Sequence, residues 1–442
     1  MTSSLRFAFL ILQIVSTQAF SASAKERLVI ISPHRQSIQR EVVPQFEAHY
    51  LKTYGHEIEV EWIDQGGTTD DLRFIKSRFS QSPKTAHMDI FWGGGELPFR
   101  DLKELGLLQS VKLSEAVTKN IPNDCQGIPL KDVDNTWHGI SLSTFGLFYN
   151  KRLLKIRKLP EPKQWTDLTD PHWKDLVSLA DPRRSGTTIA IQLGLVEALG
   201  WDKGWDTLTR TAVNTRLFTH SSTEPVSAVV SGDAAVSASI DFFGYSKVVE
   251  LGTKKVGYTN GLDSINLDVD PIAVLKGAPN TTGAKRFIEY LISPEAQKRL
   301  MLQKGQPEGP QYSTLGRMAV NQLAWEKAPS FLENPFKIQD SLERYFSPET
   351  GALLRPLLGD MIGAILVDHH QMLRESWDHL TKKKAPLSEF QALTAPLITH
   401  DEALKLAASW SKDNVRNKTI HSWNEQAYAR YQKALSYGKA SI

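Results

Sequence analysis

Cysteine is almost missing from this chain. Cys125 is the one thiol in 442 residues, so an internal disulfide framework is excluded. A chain this long has room for two domains with large apolar cores and needs no covalent staples. An excess of one charge is missing too. The 52 Lys and Arg nearly balance the 49 Asp and Glu, for a formal net charge of +3. That balance argues neither for the electrostatic footprint of a nucleic-acid binder nor for a polybasic membrane anchor. After the first residues, no segment reads as both long and apolar enough to cross a bilayer, which takes about 20 apolar residues. Catalytic signatures are also missing: there is no His-Glu-x-x-His, no Gly-x-Ser-x-Gly, no Walker A loop and no Gly-x-Gly-x-x-Gly fingerprint. Cys125 sits in a Pro-Asn-Asp-Cys-Gln-Gly stretch with no nearby His, which suits a passive loop residue better than a nucleophile.

What is present begins with an address. Arg6 precedes an apolar stretch from Phe7 to Val15, and Ala22-Ser23-Ala24 has small-x-small spacing. This pattern predicts a secretory signal over residues 1–24, cleaved near Ala24, and hence a periplasmic protein; a buried N-terminal helix is the alternative. No Cys follows that site to carry a lipid.

From Arg27 the pattern is βαβαβα. Leu28-Val29-Ile30-Ile31-Ser32 reads as a strand buried on both faces. A helix follows, with Ile38, Val42, Val43, Phe46 and Tyr50 on one face and Gly55 past its end. The alternation in Glu57-Ile58-Glu59-Val60-Glu61-Trp62 predicts a strand with one wet face. A third strand is expected at Met88-Asp89-Ile90-Phe91-Trp92. Right-handed crossovers then place the three connecting loops on one sheet edge, where open α/β sheets bind ligands. Those loops hold Ser32-Pro33-His34, Gly66-Gly67-Thr68-Thr69 and Gly93-Gly94-Gly95, with Thr69 as a possible cap of the second helix. Each precedes a helix start, where unpaired N–H groups attract negative charge.

Trp137 to Asn150 reads as extended chain crossing into a second lobe, and Asp268 to Leu275 as the return crossing. Between them, Arg184-Ser185-Gly186-Thr187-Thr188 joins a strand at Leu176 to Ala180 to a helix. It combines hydroxyls, backbone donors at a helix start and a guanidinium, the set a phosphate-sized anion requires. The plainer alternative is that Ser185 or Thr187 only caps the helix while Arg183 or Arg184 pairs with an acid. Beyond Asn321 the pattern is helical, with capping-box spacing at Thr399 and Glu402. Asp368-His369-His370 invites a metal reading, but adjacent helical imidazoles point about 100° apart and share a metal poorly.

Five segments carry a resemblance to a known family: the Leu28 to His34 run, Asp89-Ile90-Phe91-Trp92, Leu179 to Thr187, Leu199 to Trp205, and Lys276-Gly277-Ala278-Pro279-Asn280. They resemble the type-2 periplasmic solute-binding proteins of ABC importers, in the branch that includes ferric-iron, thiamine, phosphonate and sugar-phosphate binders. The resemblance implies an α/β fold of two lobes joined by two crossing strands, with a helical extension at the C-terminus. Lobe one would comprise 25–140 and 266–320, lobe two 141–265, and the extension 321–442.

The implied function is capture of a small phosphate- or phosphonate-bearing solute, or of chelated ferric iron, by hinge closure. Thiamine or a thiamine phosphate is the alternative. The implied partner is an ABC permease, the protein a monomer, with no catalysis, no cofactor and no metal ligands. An exported hydrolase or a sensor is less favoured. Site residues expected on this reading are His34, Gly67, Thr68, Gly94 and Gly95, then Arg184, Ser185, Gly186, Thr187 and Ser222, and finally Asp241, Phe242, Tyr245 and Asp268. Where ferric binders carry two adjacent tyrosines, this chain has Phe242 and Phe243, which offer no phenolate oxygen. Those rings wall an organic ligand or pack in the core.

Overall fold

The apolar run at the start of the first domain forms β1 (Glu26–Ile31), with Leu28, Ile30 and Ile31 fully buried. A computed structural model of the protein describes residues 25–261, 267–329, 332, 334–337 and 348–438. The signal expected over 1–24 lies outside the described residues. Helix α1 (Gln36–Tyr54) buries Ile38, Val42, Phe46 and Tyr50 and ends at Gly55, in the left-handed conformation that glycine tolerates. Next come β2 (Ile58–Ile63), α2 (Thr68–Gln81), β3 (Ile90–Trp92) and α3 (Glu96–Glu104). β1 pairs in parallel with both β2 and β3, so the loops after all three strands share one edge. Gly67 occupies the cap of α2, and Thr69 lies inside the helix instead of capping it.

The chain then crosses on β4 (His138–Asn150), a 13-residue strand that changes partners midway. Lobe two is built from β5 (Val177–Ala180), α4 (Gly186–Leu199), α5 (Trp201–Asn214), β6 (Thr215–Thr219), α6 (Glu224–Ser231), β7 (Val236–Ile240), α7 (Asp241–Leu251) and β8 (Val256–Thr259). β9 (Leu267–Leu275) returns antiparallel to β4. The strand order is β2-β1-β3-β9-β4-β7-β5-β6. Thr144 of β4 faces Leu267 of β9, whereas the next residue, Phe145, faces Ile240 of β7. β4 and β9 are therefore the two strands of the hinge, and the change of partner at Thr144 and Phe145 marks where lobe one gives way to lobe two.

The C-terminal region is helical as the periodicity predicts, but it begins later than position 321. Ala324 and Leu332 pack with Phe91 and Phe99 in the core of lobe one. The extension proper starts at α8 (Pro348–Ile362), passes through a π-helical turn (Gly363–Val367), and continues in α9 (His370–Lys382), α10 (His400–Ala407) and α11 (Asp413–Ser436). The capping box of Thr399 and Glu402 is formed at the start of α10. Against the sequence expectation, one stretch, Thr350–Val367, is apolar and long enough to cross a membrane. Most of its apolar side chains face protein; Leu353 is exposed. Leu354, Leu357, Leu358 and Met361 are fully buried in one core with Leu195, Val196 and Leu208 of lobe two. The reason lies in α4, which is apolar nearly all round and buries nine residues. Such a helix needs cover on both sides. The lobe-two sheet covers one side and α8 the other.

Candidate functional site

The loops of both lobes face each other across a cleft of about 1100 Å³. On the lobe-one side, Pro33, His34 and Arg35, residues 66–70, Gly94, Gly95 and the β9 residues Asp268 to Asp270 form the wall. Ser143 of the hinge strand β4 also lines it, and lobe two contributes Phe145, Arg184, Gly186, Thr187, Ser222, Phe242 and Phe243. The glycine triplet is a steric requirement. All three glycines have positive φ, and a Cβ on Gly93, Gly94 or Gly95 would lie 2.6 Å from His34, 2.4 Å from Thr68 or 2.6 Å from Asp268. The triplet thus lets three neighbouring wall residues close in on its backbone.

At the lobe-two wall, α4 points its first turn into the cleft. Ser185 caps it: its hydroxyl accepts from the Thr188 N–H at 3.0 Å and contacts the Ser222 hydroxyl at 2.8 Å. Ser185 is buried and does not line the cleft, whereas Gly186 and Thr187 do. Caps satisfy one of the four orphan donors of a helix start, leaving others for a ligand. Of the two arginines here, Arg183 donates to Asp181 at 2.7 Å and to both oxygens of Asp368 at 3.0 and 2.8 Å. Arg184 is exposed, lines the cleft and forms no ion pair among the described residues.

The opposite wall is organised around Asp270. It accepts from Arg317 at 2.5 Å and contacts the His34 Nε2 at 3.1 Å. Burial pushes this carboxyl up, but the adjacent Arg317 and His34 more than offset that and hold it at about 2. The other ring nitrogen of His34 meets the Ser32 hydroxyl at 2.9 Å, and burial lowers the imidazole pKa despite Asp270. His34 therefore shapes the wall with both nitrogens already engaged. Next to it, the guanidinium of Arg35 lies 3.9 Å from the Phe243 ring centroid and 5.5 Å from Phe242, bridging lobe one to lobe two by cation–π contacts. Burial and the nearby Arg317 lower the Arg35 pKa to about 10, still charged at neutral pH. Asp268 faces the cleft, and burial raises it to about 6, opposed by Arg355 and by the N–H groups of Glu96 and Val269.

Two of the expected site residues point elsewhere, in addition to Ser185. Asp241 is fully buried and accepts from the N–H of Thr144 at 3.0 Å and from that of Phe242 at 2.6 Å. It holds the strand at its change of partner. Burial, partly opposed by those donors, raises its pKa to about 7. Tyr245 meets Tyr258 edge to face, with ring centroids 4.7 Å apart, and packs with the lobe-one core instead of lining the cleft. The helical His pair also separates: His369 meets Asn424 and His370 meets the Ala212 carbonyl. Cys125 is buried in the lobe-one core, where burial raises its thiol pKa to about 12.

Sequence reasoning missed Arg35 and Arg355. Arg35 directly follows His34 in a loop already singled out. Arg355 is a lone cation within an apolar helix of the extension, and that mismatch was the available signal.

Two α/β lobes, two connecting strands and a cleft lined by helix starts form the architecture of a solute-binding protein. The chain belongs to the family described as bacterial extracellular solute-binding protein, which it matches over residues 89–334. It is similar to the phosphoglycerate transport regulatory protein PgtC of Salmonella typhimurium, with 26% identity over 286 residues, 63% of this chain and 66% of that protein. The match thus spans slightly under two thirds of that relative. Among solved structures, the periplasmic binding protein AfuA from Actinobacillus pleuropneumoniae, with exogenous fructose-6-phosphate bound, aligns with a TM-score of 0.59 at 19% identity. That alignment covers 82% of this chain and all of AfuA (100%). Apo ferric ion-binding protein A from Pasteurella haemolytica aligns at 0.52 and 17% identity, covering 67% of this chain and 86% of that one. At these identities the structural likenesses show the shared fold.

Proposed function

We propose that this protein is the periplasmic binding subunit of an ABC importer and that its solute is an organic phosphate. The observation that carries this reading is a charge inventory of the cleft. Asp181 is paired with Arg183, Asp70 with Arg73, and Asp270 with Arg317. Asp64 accepts the Gly66 N–H. Arg35, Arg184 and Arg355 line the same cleft, and none of them forms an ion pair among the described residues. Asp268 lines the cleft as well and attracts Arg355, so among the described residues the three cations face two carboxylates that lack an ion pair, Asp64 and Asp268; that excess of cation, beside the open first turn of α4, suits a phosphate group. The names of PgtC and of the AfuA complex point the same way. Phe242 and Phe243 bring no phenolate to the cleft wall, which weighs against ferric iron. They suit a carbon skeleton better.

The mechanism is closure about β4 and β9. Gly186 and Thr187 of lobe two and Thr68 of lobe one each offer donors at a helix start. A solute that bridges both walls stabilises the closed form by the contacts it gains only there. The permease then receives the closed shape. A sensor is the second reading, favoured by the word "regulatory" in the name of the Salmonella relative.

Calorimetric titration and thermal shift with 3-phosphoglycerate, fructose 6-phosphate, inorganic phosphate, thiamine phosphate and Fe(III) citrate test the ligand class. At about 100 times its dissociation constant, a true ligand adds about 2.7 kcal/mol of stability. A phosphate ester is expected to give this gain without turnover. Binding of Fe(III) citrate and of no phosphate ester would overturn the reading.

A further inference from the structure

The loop that reads as an anion site in the sequence gives one of its two arginines to the scaffold. The guanidinium of Arg183 is taken up by Asp181 and, through both terminal nitrogens, by Asp368 at the end of the π-helical turn. Gly363 in that turn lies so close that an added Cβ would meet Arg183 at 2.5 Å. The extension therefore grips the loop through Arg183 and leaves Arg184 in the cleft. It also presents an arginine of its own. Arg355 of α8 lines the cleft, and its Nη2 donates to the Gly186 carbonyl at 3.0 Å, beside the first turn of α4. Its neighbours Leu354, Leu357 and Leu358 are fully buried in the lobe-two core, so the guanidinium is held on a rigid element. From lobe one, Asp268 attracts it across the cleft.

We infer that Arg355 is a ligand-contacting residue, and that the C-terminal extension is part of the binding site. Resting on the phosphate reading, the inference adds the source of the phosphate grip: the fork of Arg355 together with the N–H groups of Gly186 and Thr187. Two parallel N–H donors of a guanidinium match two phosphate oxygens, which a lysine ammonium does not reproduce. Before the solute arrives, the same guanidinium is held by the Gly186 carbonyl and the field of Asp268, so it is already oriented. When the lobes close, the phosphate takes the position between Arg355 and the helix start.

Titration of the full-length protein with 3-phosphoglycerate and with inorganic phosphate tests this. Three variants are compared: Arg355→Ala, Arg355→Lys and, as a control of equal charge change outside the cleft, Lys405→Ala. Arg355→Ala is expected to weaken both phosphate probes at least about tenfold, Arg355→Lys by an intermediate factor, and Lys405→Ala by less than about twofold. Melting without ligand checks folding; should Arg355→Ala unfold, Arg355→Lys carries the comparison. Unchanged affinity in both Arg355 variants, with a loss in Thr187→Ala, would sink the role of the extension and leave the phosphate reading intact. Failure of the unmodified protein to bind either probe would count against the phosphate reading itself.

Discussion

Arg317 is the residue whose removal tests the wall behind the cleft most directly. Its side chain is buried, with two contacts to the Ser141 hydroxyl at 2.9 and 2.7 Å and one to Asp270 at 2.5 Å. The guanidinium also lies 4.5 Å from the Phe242 centroid. Arg317→Met keeps most of the volume and leaves the carboxylate of Asp270 with His34 and the Gly94 N–H but no guanidinium. Breaking a buried pair from one side costs about 3–5 kcal/mol, because an uncompensated charge stays behind. The pH dependence follows from the same geometry. In the native protein Asp270 titrates at about 2, below the unfolded value of about 3.9, so its stabilisation is complete above that value and is lost only as pH falls toward 2. Without Arg317, burial prevails and the carboxyl pKa rises. Protonation then relieves the strain, and the loss at pH 5 is smaller than at pH 7. Urea denaturation at both pH values, with matched slopes, measures the difference. Adding Asp270→Asn to Arg317→Met is expected to restore at least half of the loss at pH 7. A loss below about 1 kcal/mol at pH 7, or an undiminished loss with Asp270→Asn added, would refute the reasoning.

Separating capping from binding gives a second expectation. Ser185→Ala lowers stability by about 1 kcal/mol through the lost cap, while Thr187→Ala leaves urea stability nearly unchanged and weakens phosphate binding in calorimetry. Gly94→Ala forces a Cβ against Thr68 at a φ of +100° and is expected to weaken binding and lower the melting temperature together. Asp241→Asn removes a buried carboxyl raised to about 7. Since the folded state holds that proton longer than the unfolded one, native stability falls as pH rises from about 4 to about 7. The variant lacks this slope, so it gains on the native protein by up to about 1.4 kcal/mol per pH unit in that window and by nothing further above it. Parallel stability curves for the two would contradict the placement of Asp241.

The sequence alone determined the elements and the edge where they converge. Strand alternation, helix periodicity, Gly55 and the glycine triplet are local signals, and local sterics decide them. The crossing strands were legible as long stretches rich in β-branched and aromatic residues, and β4 and β9 are buried along nearly their whole length, polar residues included. Only the tertiary structure decided which side chains face the solute. Asp241 and Tyr245 sit beside the cleft in sequence yet turn to Thr144 and Tyr258. Arg183 and Arg184 are adjacent in the chain, and Asp368, 185 residues away from Arg183, assigns one to the scaffold and leaves the other in the cleft. Arg355 reaches Gly186 across 169 residues. Periodicity fixes which face of an element is apolar, but charge pairing is settled by whatever segment packs alongside, and here that segment is the C-terminal extension.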